Sequence, residues 1–247
     1  MYGKREAPNP DTFGASRGVY PCFVFSDDPD LAVGDGVTLV HDPLDGLDPT
    51  RASRRAKLMP ERYLPPCEWS VYLDNKMQLV VDARQLVDRL KAVEGHSLFV
   101  SRHPYRDCLY DEGAVCVHLK KESAEAIYAQ LQHYETLGFP RNAGLIQAMF
   151  LVRRHGDDHL RRFGERWFEH VLRYSRRDQI SFPFVARKLG ITTCALEDIF
   201  DGVELFRPLN GKPAPRKPKP PAPPPVSPPS PARKRTFWRD FVKPHLF

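Results

Sequence analysis

Apolar residues follow two alternating patterns over residues 1 to 210. Short runs rich in β-branched and aromatic residues predict strands at 22 to 26, 36 to 40, 69 to 74, 97 to 101, 115 to 118 and 143 to 152. Between them, apolar residues recur at helical spacing. Leu86, Val87, Leu90 and Val93 share one face, as do Ile127, Leu131 and Tyr134, and Leu160, Phe163, Trp167, Val171 and Tyr174 form a longer stripe. Stripes of this kind pack into a core more often than they touch a cofactor. The alternation of periods predicts an α/β domain with a sheet flanked by helices. The longest apolar runs, such as Leu145 to Val152, fall far short of the roughly 20 residues that cross a bilayer.

The pattern stops at about Gly211. Half of residues 211 to 232 are proline, and such a segment has no apolar set to bury. It predicts a disordered, polyproline-II-like linker. Residues 233 to 247 mix cations with Phe237, Trp238, Phe241, Leu246 and Phe247; the bland expectation is a disordered tail, followed by docking onto the body or a partner, and then by contact with a membrane surface, for which the segment is short. The expected organisation is therefore a domain over 1 to 210, a linker over 211 to 232 and a basic, aromatic tail over 233 to 247.

Charge changes the picture only once it is divided. The 247 residues carry a formal +6, which invites a nucleic-acid partner. Residues 211 to 247, however, hold nine basic side chains and one acidic one, so the body has 28 basic against 30 acidic, a net of −2. Nucleic acid is thereby disfavoured. The five cysteines are widely spaced and form no C-x-x-C pair, and the N-terminal residues lack a secretory leader's apolar stretch. Together these predict reduced thiols in a cytoplasmic protein, with Cys22 and Cys194 in the core.

Several motifs dissolve on inspection. G-A-S-R-G (14 to 18) matches a hydrolase elbow but precedes a strand instead of following one. His155 and His159 flank Gly156 in H-G-D-D-H, which reads as a loop and helix cap rather than a metal site. More informative is the apolar run ending in Asp74, because ligands of open α/β sheets bind at the carboxyl edge. Polar clusters stand at other element boundaries: Arg54-Arg55-Ala56-Lys57, His103 to Asp107, Arg141 to Gly144 and Arg176 to Gln179. The bland reading of each is a cap or surface pair, and Asp178 in particular is expected to cap the helix it starts.

These residues carry a resemblance. D-N-K-M-Q-L, H-P-Y-R-D-C-L-Y-D-E, G-F-P-R-N-A-G-L and R-R-D-Q-I-S-F resemble, in order, the motifs of a plant and bacterial glycosyltransferase-like family that includes a mucilage-synthesis protein, within the GT-A superfamily. The likeness spans about residues 20 to 205. It implies a GT-A-like, Rossmann-like mixed sheet and transfer of a sugar from a nucleotide-sugar donor to a glycan or glycoconjugate acceptor, as in surface polysaccharide synthesis. By the same resemblance Arg55, Lys57, Asp74, Lys76, Arg106, Asn142, Gly144 and Arg177 bind the donor, while Asp178 and Gln179 lie beside the transferred sugar. The N-A-G and D-Q motifs imply retention of configuration, and an inverting route would use Asp178 as base.

Two departures limit the carry-over. Lys76 stands where D-x-D enzymes place their metal-binding acid, and no histidine follows His170 before His245 in the tail. A divalent ion, Mn or Mg, at Asp74 is thus left open, and Lys76 is an alternative source of positive charge. Relatives also open with a strand ahead of a G-x-Y-D-like turn, and M-Y-G-K begins past it, so the expectation includes an upstream start or incomplete nucleotide binding. The rival expectation is a degenerate, non-catalytic glycan- or nucleotide-binding scaffold that uses its proline-rich tail for partners.

Overall fold

A computed structural model describes residues 1–4 and 6–209; the expectations for 211–232 and 233–247 lie outside the described residues. In chain order the elements are β1 (Phe23–Ser26), β2 (Thr38–His41), α1 (Pro49–Ala52), α2 (Arg54–Leu58), β3 (Trp69–Leu73), β4 (Met77–Leu79), α3 (Ala83–Lys91) and β5 (Leu98–Arg102). They continue with α4 (Leu109–His118), α5 (Ala124–Thr136), β6 (Ile146–Arg154), α6 (Asp158–Arg173), α7 (Asp178–Lys188), β7 (Cys194–Ala195), α8 (Leu196–Ile199) and β8 (Phe206–Pro208). The expected mixed sheet flanked by helices is present. Its four strands run in the order β3-β6-β5-β7, with β6 antiparallel to both neighbours and β5 parallel to β7. Two small sheets accompany it, β1-β2 in parallel and β4-β8 in antiparallel register.

The central strands feed a core on each face, which is why they read as continuous apolar runs. On β6, Leu151 enters a cluster with Ile127, Tyr134, Trp167 and Phe184, while Phe150 and Val152 enter another with Leu86, Leu90 and Phe200. On β5, Leu98 and Val100 take the first side and Phe99 the second. The three helical stripes are confirmed: Leu86, Leu90, Ile127, Leu131, Tyr134, Leu160, Phe163, Trp167 and Val171 are buried.

Two expectations are corrected. Val115 to His118 is the last turn of α4, not a strand. A four-residue apolar run fits a buried helix equally well, and here Cys116 packs inward where α4 meets α5 at Gly113; a Cβ on that glycine would lie 2.7 Å from Leu131. The run expected from residue 143 starts as a strand only at Ile146, because Asn142 and Gly144 turn with φ of 53° and 92°. All five cysteines are free thiols. Cys22 is buried as expected, but Cys194 is only half-buried on the short edge strand β7, and Cys108 and Cys116 fill the core instead. Among the described residues no helix is long and apolar enough to cross a membrane.

Candidate functional site

The carboxyl ends of β3 and β5 and the amino end of β6 lie on one side of the main sheet, since both neighbours run antiparallel to β6. Asp74 follows β3 directly, fixed by its N–H donating to Met149 O at 2.9 Å. The loop after β5 is stitched to the turn before β6: His103 N–H donates to Leu145 O (2.8 Å), and Gly144 N–H to Asp107 O (2.9 Å). The start of α7 joins them through Gln179 Nε2, which donates to Ile146 O at 2.7 Å. All four motifs therefore reach this edge.

α2 supplies the cations. Asp48 caps α1 by accepting from Thr50 N–H and Arg51 N–H, and Arg51 in turn donates to Val171 O and Tyr174 O, fastening this segment to the end of α6. Gly164 on α6 permits the contact with α2, because a Cβ there would stand 2.2 Å from Leu58 O. Lys57 is driven inward, with 2% of its side chain exposed. Its Nζ lies 2.5 Å from Asp178 Oδ2, 3.9 Å from Asp74 Oδ1 and 5.0 Å from the Tyr72 ring centroid. Arg54 Nε approaches the same Asp178 oxygen at 3.4 Å, and Tyr72 donates to Asp74 Oδ1 at 2.7 Å. The Asp178 carbonyl accepts from Trp167 Nε1 at 2.8 Å, so the acid is held at its backbone as well.

These charges set each other's protonation. Burial opposes the carboxylate of Asp178, but Arg54 and Lys57 outweigh it and hold the acid well below the usual carboxylate range. Burial is the largest influence on Lys57 and lowers its pKa, with Asp178 and Asp74 acting the other way. Burial also raises Tyr72, and Asp74 adds to it, so the phenol stays a donor. Asp178 is the first residue of α7 and not its N-cap, a position that Arg177 holds without a side-chain cap bond; Asp178 Oδ1 accepts from Gln179 N–H at 3.1 Å, and Oδ2 faces α2.

The remaining expected residues are dispersed. Arg55 points away from Lys57 and anchors the β2–α1 loop through Asp42 (3.1 Å), Asp45 (2.8 Å) and Pro43 O. Arg106 is committed to buried Glu112 at 2.6 Å, beside a Cys116 thiol that donates to the same acid. Next to them burial and Arg106 lower His103 to about 4, and its Nδ1 accepts from Tyr105 and Arg106 N–H groups. Asn142 and Gly144 lie in an exposed turn, and Lys76 is an exposed side chain on the rim of a cavity of about 960 Å³ that also reaches Arg54, Lys57 and Asp74. Arg54 and Tyr72 are members of the cluster that the motif order does not select. Helical spacing reveals Arg54, since residues 54 and 57 share a face and 55 does not. At Asp74 the carboxylate accepts from Tyr72 and lies beside the Lys57 ammonium, so the chain itself supplies positive charge at this position.

Paired cations and acids gathered at the carboxyl edge of an α/β sheet, beside a large cavity, stand where ligands of such sheets bind. Comparison with known proteins gives the family. The model of the TOD1/MUCI70, glycosyltransferase-like domain matches residues 36–207, and the chain belongs to that family. A relative in Arabidopsis thaliana, "Probable hexosyltransferase MUCI70", is 30% identical over 167 residues, covering 64% of this chain and 28% of that protein. The chain thus spans little more than a quarter of that relative's length. The structure of mouse xyloside xylosyltransferase 1 in its apo form is a partial likeness, with a TM-score of 0.34 and 10% identity over 70% of this chain and 63% of the other.

Proposed function

We propose that the chain is an enzyme that moves a sugar from a nucleotide-sugar donor to a glycan or glycoconjugate acceptor. The observation that carries this reading is the buried Lys57 ammonium, held between Asp178 and Asp74 at the sheet edge where the family motifs meet. Departure of a nucleoside diphosphate builds negative charge on the phosphates and positive charge at the anomeric carbon. Lys57 and Arg54 are positioned to meet the first, and the half-exposed Asp74 carboxylate the second. Asp178 acts as a positioning residue: an acid held far below its usual range is a weak proton acceptor, so it orients the two cations instead of serving as a base. This favours retention over an inverting route through Asp178. No step is assigned to a metal.

Calorimetry with a panel of nucleotide sugars, run with Mn and with EDTA, is expected to give heat with at least one donor. Asp74→Asn is expected to lower transfer by roughly tenfold or more while the thermal midpoint stays near wild type. Wild-type turnover in that variant would remove Asp74 from the site. No heat with any donor would favour the second reading, a non-catalytic glycan- or nucleotide-binding scaffold, for which Lys76 in place of a metal-binding acid is the supporting observation.

A further inference from the structure

At the end of β3 opposite Asp74, a second group of reactive side chains comes together. Ser70 and Asp74 alternate onto the same face of the strand direction, and at about 3.3 Å per residue they stand about 13 Å apart. Ser70 is half-buried and lines the cavity of about 960 Å³. Its Oγ lies 2.8 Å from Nε2 of His155, the residue that follows β6. His155 Nδ1 lies 3.3 Å from Oε1 of Glu61, which stands on the single turn Pro60–Arg62 after α2. Serine, histidine and carboxylate therefore form a row that starts at the cavity wall.

The row is held as acyl-transfer chemistry requires. His155 N–H donates to Glu68 O at 2.7 Å, which anchors its backbone, and only 7% of its side chain is exposed. With Nδ1–H turned to Glu61, Nε2 is the ring's acceptor and the Ser70 hydroxyl donates to it. Burial opposes the Glu61 carboxylate, but the bond from His155 leads the influences that outweigh it and lower its pKa. An anion there fixes the tautomer. Arg153 is paired with Ser70 in the register of β3 with β6, so the two side chains share a face, and Arg153 lines the same cavity. Burial lowers its pKa to about 10, which leaves it charged at neutral pH. Negative charge that develops beside Ser70 thus meets a buried cation. Ser16, in the hydrolase-like G-A-S-R-G, lacks such a setting: its Oγ is buried without a hydrogen-bond partner.

We propose that Ser70 is the nucleophile of a second active site, one that hydrolyses carboxylic esters with His155 as base, Glu61 as the residue that orients it and Arg153 as the charge beside the oxyanion. Ser70 Oγ bonds to the ester carbonyl carbon while its proton passes to His155 Nε2. The bond from that carbon to the alcohol oxygen then breaks, and the alcohol leaves with the proton. Water repeats both steps on the acyl-serine and releases the acid. Phe23, Phe25, Leu64 and Pro65 on the cavity walls suit the hydrocarbon of the acyl group. The site is independent of the transferase reading.

The test uses the 247-residue chain without any nucleotide sugar, so its failure leaves that reading untouched. A fluorophosphonate is expected to add to Ser70, as located by peptide mass spectrometry, and p-nitrophenyl acetate to release a burst of about one p-nitrophenol per chain. Ser70→Ala is expected to lose both while its thermal midpoint stays near wild type. His155→Gln is expected to slow labelling of Ser70 by roughly a hundredfold and Glu61→Gln by roughly tenfold or more. Should His155→Gln fail to fold, Glu61→Gln carries the same comparison. No adduct, an adduct on another serine, or labelling of Ser70 at the wild-type rate in a folded His155 or Glu61 variant overturns the proposal and leaves His155 a structural partner of Ser70.

Discussion

Lys57 and Asp178 are a buried ion pair, and pairs of this kind are kept in place less by their mutual attraction than by the cost of leaving either charge alone. The pH dependence of stability exposes this. The folded pKa of Asp178 is depressed below its unfolded value of about 3.9. Its contribution is therefore fully present above about pH 4 and is lost as pH falls through the folded value. In urea titrations we expect a midpoint that is steady from about pH 7 to 5 and falls below about pH 4, with Asp178→Asn flattening the acid limb. Parallel acid limbs in the two proteins would assign the titration to other carboxylates. The sequence places Asp178 at a helix start, and a cap is the bland local expectation. That the carboxylate turns to α2 depends on a helix more than 100 residues earlier, which no local pattern reports.

The elements that hold the site are short, and α2 above all, with five residues, cannot be stable alone. Its position depends on α6, where Gly164 lets the Leu58 carbonyl approach. Glycine to alanine inside a helix ordinarily stabilises by about 0.5 to 1 kcal/mol. At residue 164 the sign reverses, because the new Cβ meets backbone, which cannot rotate aside. Gly164→Ala is expected to lose about 1 to 3 kcal/mol in denaturant melts, and to displace Lys57 with α2. Gly113→Ala is the control: its Cβ would meet the Leu131 side-chain tip, which can yield, so the loss should be smaller. An unchanged or raised midpoint for Gly164→Ala would show that α2 does not rest on α6. The three amphipathic stripes were legible because each repeats over several turns. Val115 to His118 was not, since four apolar residues without a period fit a strand or a helix end.

Across the whole molecule, charge is divided between the body and residues 211 to 247. Ending the chain at residue 210 changes the formal charge from +6 to −2. We expect the shortened protein to lose retention on a cation exchanger at pH 7, as shown by elution in low salt. Retention equal to that of the full chain would mean that a basic face on the body governs its binding. The amino-acid sequence by itself determined this division, along with the α/β class, the helical stripes and the motif set, because all of these are properties of neighbouring residues. Only the tertiary structure decided that Lys57, and not Arg55, meets Asp178 and Asp74, that Arg106 is spent on Glu112, and that Ser70, His155 and Glu61 come together. Those outcomes depend on which way a short helix is rolled and on how separate strands are registered. Packing against distant segments sets both, and spacing along the chain does not encode it.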